Sequence, residues 1–212
     1  MCTGRVDLAF VLRAFQQGAD GVIIAGCWPG ECHYVTEGNY DALGNVYLAR
    51  KLLALVGVDP ARLRLEWIAA SEGSRFAEVM SGFALQLRGL GPLGQERGTA
   101  AAGLPLALEA LARLVPYLKL VERERLRVST RTEEAYRELY ESDEVKRLLD
   151  ELVTDKLAVS QILLCLRERP LSAGEIAERL GLSPSLVSRH VGSSTRQGLV
   201  RYDLEQKRYA LA

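Results

Sequence analysis

The sequence predicts an α/β fold: an open parallel sheet with helices on its faces, then a helical stretch, then a small helical unit closed by a hairpin. Three observations predict it. Apolar, strand-like runs at Val22–Ala25 and Leu63–Ala69 alternate with helical stretches in the first third. The middle is rich in Ala, Leu and charge and poor in turn signals after Gly103. The last quarter carries two helix-start signals, a glycine turn and two short β-prone runs.

The first helix is expected over Val6–Gln17, with Leu8, Val11, Leu12 and Phe15 on one face and Gly18 as its stop. Val22–Ala25 follows as a strand buried on both faces. Gly26, Pro29 and Gly30 then force a loop. Asn39–Leu55 reads as a helix that turns Leu43, Val46, Tyr47, Leu52 and Leu53 inward and ends at Gly57. Leu63–Ala69 is the second strand. Ser71 is expected to cap a third helix, which ends near Gly89-Leu90-Gly91-Pro92. The order α-β-α-β-α with short links implies parallel strands. Two strands make a thin sheet, and an unpaired edge needs covering.

Leu104–Leu120 reads as helix, with Pro105 near its start and Pro116 as a kink or break. Glu122–Arg127 alternates sign and reads as a solvated helix that docks the module to something else. Residues 132–158 carry an apolar stripe at Ala135, Leu139, Val145, Leu148, Leu149 and Leu152.

In the tail, Ile162–Leu166 is the core of one helix. Ser172 with Glu175 three residues on forms a capping box. Ile176–Leu180 follows, then the turn Gly181-Leu182. Ser183-Pro184 opens a helix with Leu186, Val187 and Val191 on its apolar side, and two short strands close the unit as a hairpin. This is the layout of a winged helix-turn-helix. The run LSAGEIAERLGLSPSLVSRHVGSSTRQGLV is similar to the DNA-binding part of ArsR- and MarR-type regulators. The expected division is 1–92, an α/β module; 93–158, a helical linker; and 159–212, the winged helix.

The net charge is zero, but its parts differ. Residues 159–212 hold 8 basic and 5 acidic side chains, whereas 93–158 hold 11 and 13. The basic tilt of the tail permits DNA contact without demanding it. No run is long enough to span a membrane, and no signal peptide opens the chain. Four cysteines in 212 residues make no disulfide scaffold, which points to a reducing cytoplasm.

The cysteines carry the chemistry. Cys27 and Cys32 lie in GCWPGECHY, on a glycine-bearing loop at the carboxyl end of a strand. Ligands sit at that end of open α/β sheets. Two thiols there, beside exposed backbone amides, suit an iron–sulfur cluster. Zinc is the competing metal, with three thiolates and His33 as a tetrahedral set. Cys165, between Leu164 and Leu166, reads as core. No nucleophile–base pair or carboxylate dyad appears, so independent catalysis is not expected.

The run CTGRVDLAFVLRAFQQGADGVIIAGCWPGECHY, followed by GNY and later by EWIAASEGSRFAEVMSGF and LGPLG, resembles the iron–sulfur delta subunit family of methyl-viologen-reducing hydrogenase. The resemblance covers about Cys2 to Leu93. It implies a 2Fe-2S cluster with Cys2, Cys27 and Cys32 as ligands, Cys2 because it matches the family's CxGR cysteine. Trp28, where the family usually has His, and His33 would form the surround. Family members normally begin earlier, with a further strand and another cysteine loop, so the sheet here is partial. Such a cluster needs four ligands. The fourth would come from a partner chain or from a start upstream; the remaining alternative is a copy without its cluster.

The resemblance implies an electron-transfer subunit between a hydrogenase- or formate-dehydrogenase-like donor and a heterodisulfide-reductase-like flavoprotein. The alternative is a redox-sensing winged-helix transcription regulator. In that case Ser183, Ser185, Ser188, Arg189 and His190 would face base edges, while Arg196, Arg201, Lys207 and Arg208 would meet phosphates. The competing reading of the same tail is a protein-docking module.

Overall fold

The computed structural model describes residues 2–95 and 103–212. The stretch 96–102, inside the expected linker, lies outside the described residues. In chain order the first elements are α1 (Leu8–Gln16), β1 (Val22–Gly26), α2 (Gly38–Leu55), β2 (Leu63–Trp67) and α3 (Gly73–Leu90). Next come α4 (Leu104–Arg113), α5 (Val115–Arg125), α6 (Glu133–Glu141) and α7 (Asp143–Leu149). The tail holds α8 (Asp155–Glu168), α9 (Ala173–Leu180), α10 (Pro184–Arg196), β3 (Val200–Asp203) and β4 (Arg208–Leu211).

β1 and β2 pair in parallel, from Val22 opposite Leu63 to Gly26 opposite Trp67, with α2 as the crossover. The expected α/β module is therefore present. β1 departs from expectation in one respect. Ile24 is buried, but Ala25 is exposed and Val22 and Ile23 are half-buried. The reason is that β2 is its one neighbour in the sheet among the described residues. The cap of α3 also differs. Glu72, not Ser71, stands at the N-cap, and Ser71 gives α3 no side-chain cap bond.

α1 forms as its pattern requires. Asp7 caps it by accepting from the Ala9 amide, and Leu8, Val11, Leu12 and Phe15 are all buried. Each such burial stabilises by roughly 1.5–3 kcal/mol. Arg62, fully buried just before β2, donates to the carbonyls of Asp20 and Gly91, both at 2.8 Å. This guanidinium ties the start of β1 to the end of α3.

In Glu122–Arg127, Arg123, Glu124, Arg125 and Arg127 are exposed as expected, but the helices before them are packed. Leu104, Ala107, Leu108, Ala110 and Leu111 of α4, with Val115 and Leu118 of α5, share one apolar cluster with α1 and α2. The chain breaks between α4 and α5 at Leu114, with Pro116 in the first turn of α5. Residues 132–158 form three helical pieces. Ser142 caps α7, and a π-helical turn at Asp150–Thr154 leads into α8. The buried positions here are Tyr136, Tyr140, Val145, Leu149 and Val153, so the expected stripe holds in part. Both tyrosines pack on α2, where Tyr136 stacks on Tyr40 and Tyr140 on Tyr47.

The tail is a helix-turn-helix with an antiparallel hairpin, β3 against β4. The capping box of α9 is complete. The Glu175 amide donates to Ser172 Oγ at 3.2 Å, and the Ser172 amide donates to Glu175 Oε2 at 2.7 Å. Gly181 then takes the left-handed conformation, φ 64°, that ends the helix. Ser172→Ala is expected to cost about 1 kcal/mol of unfolding free energy. Urea denaturation of the two proteins checks this, and an unchanged midpoint would remove the box from the stabilising set.

Candidate metal centre and winged-helix surface

The thiols meet where three backbone segments crowd together. A 3₁₀ turn at Thr3–Arg5 lies against the end of β1, where Thr3 Oγ1 donates to the Ala25 carbonyl at 2.9 Å. The same turn packs on the first residue of α2. A Cβ on Gly4 would fall 2.5 Å from the Gly38 carbonyl oxygen, so only glycine allows this approach. Cys2 enters from one side and Cys32 from the other, and their Sγ atoms stand 3.6 Å apart. Cys32 is buried and Cys2 is half-buried.

Gly38 forms the floor beneath both sulfurs. A Cβ there would lie 2.3 Å from Cys32 Sγ and 2.8 Å from Cys2 Sγ. Gly38 is also the first residue of the 18-residue α2. The positive end of that helix dipole favours negative charge at the pair. Two thiolates on one tetrahedral metal at about 2.3 Å stand about 3.8 Å apart. The Cys2–Cys32 pair fits half of such a coordination sphere.

Cys27 is placed differently. It starts the loop, half-buried, and its carbonyl accepts from Asn39 Nδ2 at 2.6 Å. Among the described residues, no group of three or more His, Cys, Asp or Glu side chains is placed to hold a metal. His33 is exposed, edge-on to Tyr34 with centroids 5.1 Å apart, so the zinc set of three thiolates and His33 is not assembled. Trp28 leans toward α3. Its Nε1 donates to Glu72 Oε2 at 2.8 Å, and the Arg75 guanidinium lies 4.9 Å from the ring centroid. The Ala69 amide also donates to Glu72 Oε2, at 2.6 Å. These bonds, first from Ala69 and then from Trp28, hold the Glu72 carboxyl below its ordinary range against partial desolvation. Tyr34 and Val35, 54% and 61% exposed, extend the loop as an apolar surface.

In the tail, Ser185, Ser188, Arg189, Arg196, Arg201 and Lys207 are exposed. Arg189 pairs with Asp155 at 3.0 Å, and the half-buried Arg208 pairs with Glu175 at 3.2 Å. His190 departs from its expected place at base edges. It is 5% exposed and lies on the inner face of α10 with Val187, Val191 and Ser194. Its Nε2 has no hydrogen-bond partner and sits 3.5 Å from Asp155 Oδ1. Desolvation lowers its pKa, against the pull of Asp155. Cys165 is fully buried in the second apolar cluster, where desolvation pushes its thiol up.

Known families match both ends of the chain. Residues 1–91 match the family described as methyl-viologen-reducing hydrogenase, delta subunit. The chain is 53% identical over 96 residues to the iron-sulfur subunit of the F420-non-reducing hydrogenase of Archaeoglobus profundus, a match covering 45% of this chain and 69% of that protein. This chain belongs to the methyl-viologen-reducing hydrogenase delta subunit family.

Within that family it is also 40% identical over 99 residues to the iron-sulfur subunit of the vhc F420-non-reducing hydrogenase of Methanococcus voltae, covering 47% of this chain and 68% of the relative. A third match is one of the subunits of the Ferredoxin:CoB-CoM heterodisulfide reductase of Methanosarcina mazei. It is 43% identical over 106 residues, which is 49% of this chain and 13% of that longer protein. The delta-subunit match ends before α4. Residues 158–202 match a second family, bacterial regulatory protein, arsR family, which accords with the helix-turn-helix seen there. No helix among the described residues is long and apolar enough to cross a membrane.

Proposed function

We propose that the chain is an electron-transfer subunit of a redox complex, holding a 2Fe-2S cluster. The observation that carries this reading is the Cys2–Cys32 pair, 3.6 Å apart over Gly38. Cys27 would serve as a third ligand. It lies on the same loop as Cys32, and the intervening Gly30, at φ 88° with nothing near its Cβ position, gives that loop room to close. The fourth ligand would come from outside this sequence. The names of the relatives, iron-sulfur subunits of hydrogenases and one subunit of a heterodisulfide reductase, support the reading. Donor and acceptor would be a hydrogenase- or formate-dehydrogenase-like enzyme and a heterodisulfide-reductase-like flavoprotein in the cytoplasm.

Such a cluster supplies one-electron transfer at a potential set by its ligands and hydrogen bonds. The chain supplies placement. The Thr3 hydroxyl pins the Cys2 turn to β1, Asn39 fixes the Cys27 end of the loop, and the Trp28–Glu72–Arg75 set holds the loop against α3. Anaerobic purification with iron and sulfide analysis tests the proposal. About two irons per chain are expected, lost in Cys32→Ser and Cys27→Ser. Iron retained in full by Cys32→Ser would refute the pair as ligands.

The arsR-family match favours a second reading, a redox-sensing transcription regulator. Its exposed Ser185, Ser188, Arg189, Arg196 and Lys207 would then meet DNA, as would Arg208. Steeply salt-dependent binding to a palindromic duplex would mark this function. Co-purification with a flavoprotein and no DNA affinity would mark the first.

A further inference from the structure

Beside the turn that follows Cys2, α2 and the α5–α6 region form the walls of an open cleft of ≈1140 Å³. This is at or above the upper end of the range for small-molecule sites, about 300–1,000 Å³. One wall is the turn after Cys2 together with Tyr40, Asp41 and Gly44 of α2. The other comes from α5, the segment 126–131, and Tyr136 and Tyr140 of α6.

Its charge is lopsided. Arg5, Lys119, Arg123, Arg127 and Arg131 line it, against Asp7, Asp41 and Glu122. Lys119 is paired with Asp7, and Arg123 and Arg127 lean on Glu124 outside the cleft. Among the described residues, neither Arg5 nor Arg131 has a carboxylate oxygen within 4.0 Å, although the charge of Arg131 acts on Asp41. The two arginines stand on opposite walls. Arg131 is nonetheless held in place, because its Nη1 donates to the Tyr136 hydroxyl at 2.5 Å. Tyr136 in turn stacks on Tyr40, centroids 5.8 Å apart and planes 24° apart. Tyr40 is half-buried and faces the cleft.

We propose that this cleft binds a nucleoside phosphate, with Arg5 and Arg131 on the phosphates, Tyr40 against the base, and Asp41 and Glu122 on the ribose hydroxyls. Each assignment rests on matched chemistry. Guanidinium forks pair with phosphate oxygens. Bases stack on aromatic faces. Carboxylates accept from ribose hydroxyls. No simple anion uses all three groups. Burial pushes the Glu122 carboxyl up to about 7, with Asp41 and Asp7 adding like charge and Lys119 opposing it. Near neutrality it therefore repels phosphate weakly. The site begins within a few residues of Cys2, so occupancy would stiffen the turn that carries that sulfur.

Calorimetric titration of the full chain with ADP, GDP and UDP tests this, with pyrophosphate and adenosine as comparison probes. A nucleoside diphosphate is expected to bind more tightly than either comparison probe. Arg131→Gln, Arg5→Gln and Tyr40→Ala are each expected to weaken it about tenfold or more. Thermal unfolding confirms that each variant is folded, and the exposed Arg5 makes its variant the least disruptive. No heat with any of the three nucleotides would overturn the proposal. So would pyrophosphate binding as tightly as the nucleotide, which would make this a plain anion site. Nucleotide binding unchanged in the folded Arg5 and Tyr40 variants would place the nucleotide elsewhere and overturn it too.

Discussion

Gly38→Ala is expected to strip the chain of iron while leaving every cysteine in place. The added Cβ would stand 2.3 Å from Cys32 Sγ and 2.8 Å from Cys2 Sγ, far inside contact distance. Neither neighbour is free to retreat. Cys32 is 4% exposed, and the turn behind Cys2 is pinned by Thr3 and by the close approach of Gly4 to Gly38. Forcing extra volume into such a site costs roughly 1–3 kcal/mol by itself. It also pushes the sulfurs off the spacing that the proposed cluster needs. Gly82→Ala is the control. It lies inside α3 with nothing within 4 Å of its Cβ position, and should keep its iron and gain up to about 1 kcal/mol of stability. Iron analysis after anaerobic reconstitution decides the matter. Full iron content in the folded Gly38 variant would mean that the cluster is not seated over this glycine.

The second large effect is a pH slope in stability carried by Glu122. Desolvation, the like charges of Asp41 and Asp7, and only partial relief from Lys119 raise its carboxyl from 4.5 to about 7. A folded-state pKa above the unfolded value means that the native chain holds the proton longer. Between about pH 4.5 and 7 the native state binds more protons than the unfolded state, so stability falls as pH rises through that window. The loss amounts to at most about 3 kcal/mol and is complete above pH 7. Glu122→Gln has no proton to lose. It should match the parent near pH 4 and exceed it near pH 8. Urea unfolding of both proteins at several pH values checks this. Parallel stability curves for the two would show that Glu122 titrates normally and is well solvated.

Glu122 also shows why part of the molecule is hidden from the sequence. In Glu122–Arg127 the charges alternate, and locally that pattern describes a solvated surface. Glu122 instead lies against α2, where the Cβ position of Gly44 is 3.5 Å from Glu122 Oε1 and 3.4 Å from the Tyr140 hydroxyl. That contact joins segments far apart in sequence, and no local period reveals it. The same holds for Tyr136 and Tyr140, which pair with Tyr40 and Tyr47 across the fold.

Where the signal is local, the sequence is legible. α1, the Ser172–Glu175 box and the Gly181 turn each follow from a few adjacent residues. His190 is an intermediate case. It lies three residues from Val187 and four from Ser194, on the buried face, and that spacing is visible in the sequence. In the candidate metal centre, the structure brings together Cys2 and Cys32, two of the three thiols that the resemblance implies as ligands. Gly38 does not stand out beforehand, because a glycine at a helix start says nothing about which side chains lie above it.

α8 belongs to both apolar clusters at once. Leu157 and Leu164 pack into the first, while Ile162, Cys165 and Leu166 pack into the second. The expected boundary after residue 158 therefore lies within α8. Ser160 Oγ, bonded to the Ala110 carbonyl at 3.2 Å, clamps α8 to α4. Mechanically, the tail is mounted on an axle fixed in the front half. Through the Ser160 bond, α4 bears directly on the helix that carries the helix-turn-helix.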